Sequence, residues 1–157
     1  MATATWITIS VDDLDDCVVA AQMTAIRNAA LGDSQDDPFA AVMPAIIARV
    51  RAEIQGNPIN RVGAVANTVP PSLKNQTCWL IVAALQPRIP SLRLTDDQKD
   101  LIKDARDYLK RVGKPNGIPI EQPDDVAAND MQKSGTSEMA ETPTLVTNDP
   151  KQQGIYL

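Results

Sequence analysis

The run TCWLIVAAL at residues 77–85 constrains this chain more than any other. Its length and flanks predict a helix, begun by Pro71 in PSLKNQ, and that helix is apolar on every side. Such a helix must be covered all round, by its own domain or by a neighbouring subunit. It is too short to cross a membrane, and no stretch reaches the roughly 18 apolar residues a span needs. Other helices must supply the cover. Aromatics are only 3% of residues while Ala, Val, Ile and Leu are plentiful, which favours small-residue helical packing over a β-sandwich. At 157 residues the chain fits one domain with one core.

Period and capping signals place three more helices around it. TATWITI at residues 3–9 alternates loosely and reads as an extended arm. Ser10, with Asp13 three residues on, is a candidate N-cap for a first helix over residues 11–31, whose stripe would be Leu14, Val18, Ala21, Ala25 and Ala29 and whose stop is Gly32. Asp37 and Pro38 cap and open a second helix. Phe39, Val42, Met43, Ile46, Ile47, Val50 and Ile54 form its buried stripe, with Arg49, Arg51 and Glu53 on the opposite face. Pro44 inside it predicts a kink or a restart. The connection GNPINRVGAVANTVP, which contains Arg61, is long enough to suggest a functional or mobile loop. After the apolar helix and the breaking segment QPRIPSLRL, TDDQ is a capping box, with Thr95 as cap and Gln98 as its partner. Leu101, Ile102, Ala105, Tyr108, Leu109 and Val112 would be the buried face of this fourth helix. Lys103 and Asp107, and Asp107 and Arg111, are spaced as ion pairs. Gly113 ends it, and KPNGIPI turns into a short extended segment. The fold class expected is mainly α: a small four-helix bundle with an arm at residues 1–9, a helical domain at 10–120 and a long extended tail at 121–157.

Charge separates body from tail. The net charge is -5, and residues 1–120 carry equal numbers of acids and bases, so the excess lies in Glu121, Asp124, Asp125, Asp130, Glu138, Glu141 and Asp149 against Lys133 and Lys151. A neutral body argues against a dedicated nucleic-acid surface. The tail is too polar to order itself and is expected to order on a partner. Yet it runs to Ile155, Tyr156 and Leu157, an apolar cluster suited to anchoring in a groove on another chain. MATATWITIS has no basic residue ahead of an apolar run, so a secretory signal is not expected and a cytosolic, soluble product is.

No chemistry volunteers itself. Histidine is absent, which removes Ser-His and Cys-His dyads and His-based metal centres. Glycine-rich phosphate loops are missing too. Asp12, Asp13, Asp15 and Asp16 lack the Gly and distal Glu of a calcium loop and read as first-turn carboxylates favoured by the helix dipole. Cys17 and Cys78 lie far apart in sequence among apolar neighbours, the pattern of buried free thiols. No enzyme, metal or cofactor is therefore expected. Trp79 reads as core or as an indole at an oligomer seam, and Trp6 as a docking residue or as packing back on its own domain. The mixed run DDQKDLIKDARD, with Asp100 and Lys103, reads as a solvated face or a subunit interface, for which Arg61 is a further candidate.

The order of these pieces carries a resemblance. An arm with ITISVDDL, VRAEIQGNP closing the second helix, VPPSLK opening the third and a charged helix running into VGKPNGIPI together resemble the head-tail connector, or adaptor, proteins of tailed bacteriophages, over roughly residues 5–125. The resemblance implies a structural virion protein in the neck, assembled in host cytoplasm as a homo-oligomeric, dodecameric ring beneath the portal. It would extend the DNA channel without sequence-specific DNA binding, and offer a docking surface to a stopper or tail-completion protein. Portal attachment would fall on the tail end, Ile155, Tyr156 and Leu157. Two alternatives stay open: a small helical DNA-binding regulator, and another neck or tail-completion protein.

Overall fold

The structure, a computed structural model, describes residues 3–18, 20–30, 37–88 and 93–126. It is mainly helical, with α1 at Ala20–Ala30, α2 at Pro38–Gly56, α3 at Lys74–Leu85 and α4 at Asp96–Val112. The helices α2, α3 and α4 pack on one another. Val50, Ile54, Leu73, Ile81, Val82, Leu85 and Val112 are fully buried.

Two helices begin where their caps predict. Asp37 accepts a hydrogen bond from the Phe39 amide at 2.9 Å, and Pro38 is the first helical residue. At α4 both limbs of the capping box form: the Gln98 amide donates to Thr95 Oγ1 at 3.3 Å, and the Thr95 amide to Gln98 Oε1 at 3.0 Å. Each satisfies an amide that the helix geometry leaves without a carbonyl. Pro44 does not restart α2. Ala40 and Pro44 both lie exposed, so the carbonyl that loses its amide partner does so on the solvated side.

The first helix departs from expectation. Asp13 does take the Ser10 amide, at 2.7 Å, but the chain then winds into a 3-10 turn over Asp12–Asp16, and α1 begins only at Ala20. Aspartates are poor helix formers, and tertiary contacts decide the matter here. Lys74 of α3 holds Asp13 at 2.8 Å and Asp16 at 3.4 Å, while Leu14 plugs the core beneath them. The break resets the helical phase. Met23 and Ile26 are buried in α1, and Ala21 and Ala25, expected in the stripe, are exposed.

Arm and tail boundary also differ. The extended arm is stitched into the body by two short ladders: β1 at Thr3–Ala4 pairs parallel with β4 at Gln122–Pro123, and β2 at Ile7–Thr8 pairs antiparallel with β3 at Thr68–Val69. Gly63 and Val126 add a further bridge, and the Ala64 amide donates to Asp125 O at 3.2 Å. Residues 121–126, assigned to the tail by composition, therefore belong to the folded body: backbone hydrogen bonds hold them, Pro123 is buried, and the Glu121 and Gln122 side chains accept from the Ser72 and Arg61 amides. The Asn60 side chain extends this seam, accepting from the Ile120 amide at 3.0 Å and donating to Ile118 O at 3.3 Å.

Candidate interaction surface on α3 and α4

Most of the apolar helix is covered from within its own chain. Thr77, Cys78, Leu80, Ile81, Val82 and Leu85 are buried against α2, α4 and the 12–16 turn. Within the apolar run Trp79, Ala83 and Ala84 stay partly open, and Trp79 faces α4. There a groove of about 480 Å3 runs between the helices. Its apolar floor is Trp79, Leu101, Ala105 and Tyr108, and its walls include Gln76, Asp104, Asp107 and Arg111.

Three features distinguish the groove. Leu101 stands 46% exposed at its edge, although its apolar character suggested core. The Gln76 side-chain oxygen is buried in the wall and finds no hydrogen-bond donor among the described residues, a state that costs free energy until a donor arrives. The Arg111 guanidinium lies over the Tyr108 ring, 5.5 Å from its centre, as a cation-π pair.

Charge is sorted along the outer side of α4. At 3.6 residues per turn, Asp97, Asp100, Asp104 and Asp107 form one row beside the groove, and Lys99, Lys103, Arg106 and Lys110 form another further round. All eight are exposed. A local pair links the rows where Asp107 meets Lys110 at 3.3 Å, and Asp96, ahead of the acidic row, meets Lys99 at 2.7 Å. The expected pairing of Asp107 with Lys103 or Arg111 gives way to this closer neighbour. Lys99 beside Asp96 draws that carboxyl below its usual range. Asp100, Lys103, Asp104 and Arg106 have no ion-pair partner among the described residues.

The candidate residues thus part company. Trp79 lines the groove, Asp100 lies in the acidic row and Lys103 in the basic one. Arg61 is elsewhere, half-buried in the connection after α2, its amide donating to Gln122 Oε1 at 3.2 Å. Trp6 packs on its own domain and is only 5% exposed. Its indole N-H donates to Glu121 O at 3.3 Å and its face meets the Arg51 guanidinium at 5.5 Å, so it is not available as an anchor for a partner. Ile155, Tyr156 and Leu157 lie outside the described residues. The sequence did not single out Gln76, Leu101 or Tyr108 as surface, whereas Asp104 lay in the charged run read as a solvated face or a subunit interface. One signal was present for Leu101: consecutive Leu101 and Ile102 cannot both centre on one narrow helical stripe.

Away from the groove, Asp13 and Lys74 form an ion pair at 2.8 Å. Lys74, then the Ser10 amide, hold the Asp13 carboxyl at about 2, well below its ordinary 3.8. Asp13 and Asp16 in turn raise Lys74. Among the described residues no three His, Cys, Asp or Glu side chains converge as metal ligands, and no helix is long and apolar enough to cross a membrane. No protein-family model, curated protein or solved structure matches the chain.

Proposed function

We propose that this chain is a structural virion protein, a head-tail connector whose copies form a dodecameric ring beneath the portal of a tailed bacteriophage, located in the neck between head and tail. The observation that carries the reading is the α3–α4 surface, a groove bordered by an acidic row on α4, with a basic row further round the same helix. Two unlike patches on one protomer suit a head-to-tail contact, in which the basic row of one copy meets the acidic row and groove of the next, and such contacts close into rings. A helical bundle extended by the tail would then line the DNA channel, with a body that carries no basic excess to grip phosphates. The tail is the tether. Its Ile155, Tyr156 and Leu157 dock on the portal, and repetition around the ring multiplies a weak anchor.

The test is an affinity purification from virus-producing cells, with a tag joined ahead of Met1 by a linker and partners identified by mass spectrometry. The connector reading expects portal protein in comparable amount, lost when residues 148–157 are removed. Recovery of tail proteins without portal points instead to another neck or tail-completion protein, and recovery of no structural virion protein overturns the proposal. The basic row Lys99, Lys103, Arg106 and Lys110 favours one second reading, a DNA-binding helical regulator. It requires duplex affinity that falls steeply with salt, measured by fluorescence anisotropy.

A further inference from the structure

The two cysteines of the chain, remote in sequence, meet in the fold. The 12–16 turn lies along the first half of α3, so that the Cys78 thiol reaches the Asp13 carbonyl at 3.7 Å. One helical turn earlier on the same face, Lys74 spans Asp13 and Asp16. Cys17 comes directly after Asp16. Its amide donates to Leu14 O at 2.9 Å, which curls the turn back and brings its side chain against the core. The turn thus places the two thiols near each other, close enough that each perturbs the other's ionisation. They are unequal: Cys17 is partly exposed, and Cys78 is 1% exposed.

This asymmetry divides two chemical roles. Hydrogen bonding from Cys78, aided by the nearby Lys74 ammonium, lowers the pKa of Cys17 against the opposing effects of burial and Asp16. Contact with Cys17 and burial push the Cys78 thiol up. A partly exposed thiol of lowered pKa beside a buried one is the arrangement of an attacking and a resolving sulfur.

We propose that Cys17 and Cys78 are a redox-modification site, forming an intramolecular disulfide when the chain meets a hydroperoxide. The Cys17 thiolate attacks the peroxide oxygen; an S–O bond forms, the O–O bond breaks and the departing alkoxide or hydroxide takes a proton. The Cys78 sulfur then attacks Cys17; the S–S bond forms, the S–O bond breaks and hydroxide leaves as water with the Cys78 proton. Two thiols are oxidised, the peroxide is reduced by two electrons, and the products are a disulfide, water and an alcohol or a second water. The bond ties the 12–16 turn to α3.

Intact-mass analysis of the full chain after hydrogen peroxide treatment tests this. The expected result is a monomer lighter by about 2 Da, the two hydrogens lost, with a 17–78 crosslinked peptide on non-reducing digestion and a melting temperature raised several degrees. In Cys78→Ser the resolving sulfur is gone, and Cys17 should be trapped as sulfenic acid by dimedone. In Cys17→Ser the buried Cys78 should stay a thiol. Oxygen addition to wild-type Cys17 without a crosslink, or a disulfide only between chains, overturns the proposal, and neither result depends on any variant folding.

Discussion

Arg51 joins three separated parts of the chain. Its guanidinium donates to Thr68 O at 2.8 Å and to Gly63 O at 2.6 Å, and it covers the Trp6 ring. From sequence it lay on the outward face of α2; nothing local says that a loop and an arm fold over that face. Replacing it with Met keeps much of the stem but leaves two carbonyls without their donor. Since a hydrogen bond to a charged group contributes about 1.5–3 kcal/mol, Arg51→Met should lower stability by about 2–3 kcal/mol in urea denaturation. An unchanged midpoint would show that the clasp is incidental. Asp13 gives a second test with a defined sign. Its folded pKa of about 2 lies below its ordinary 3.8, so the stability it contributes is complete above about pH 4 and is lost as pH falls through about 2. Asp13→Asn should therefore be less stable than wild type near neutrality, and the gap between their urea midpoints should shrink on acidification. A gap that stays constant contradicts the pairing with Lys74.

Element boundaries were legible wherever a cap is local, as at Asp37 and Thr95, because the capping atoms lie within three residues of each other. The first helix was not, because Lys74, far along the chain, captures two of its aspartates. The ends of α2 and α4 show a similar limit. Gly113 has φ -75° and ψ -11°, a backbone open to any residue, so its conformation does not call for glycine. What excludes a side chain is proximity: a Cβ there would sit 2.8 Å from Glu53 O and 2.9 Å from Glu53 Oε2. Gly56 faces the same crossing, where a Cβ would lie 2.8 Å from Gly113 O. Gly113→Ala should cost about 1–3 kcal/mol by overpacking, with the helical circular dichroism signal retained at low temperature. A melting temperature equal to that of wild type would show that the two helix ends separate without loss.

For the whole molecule, the apolar run at residues 77–85 foretold that α3 would need cover, and its own chain supplies most of it. Which part of the α3–α4 surface stays open was not readable, because Leu101 and Tyr108 carry the same apolar label as the buried residues beside them. Nor was the extent of the body, since Glu121 to Val126 are held by backbone pairing that composition does not reveal. The sorted charges on α4 were present in the sequence but appear as rows only when wound on a helix whose buried side is known. They lead to the central claim, that copies of this chain join head to tail through α3 and α4. Sedimentation velocity of the purified chain across a range of concentration and salt tests it most directly. The account predicts a closed oligomer favoured at low salt, reduced to monomer by Asp104→Lys and regained when that variant is mixed with Lys103→Glu. A chain that stays monomeric under every condition, or an oligomer indifferent to both charge reversals, contradicts it.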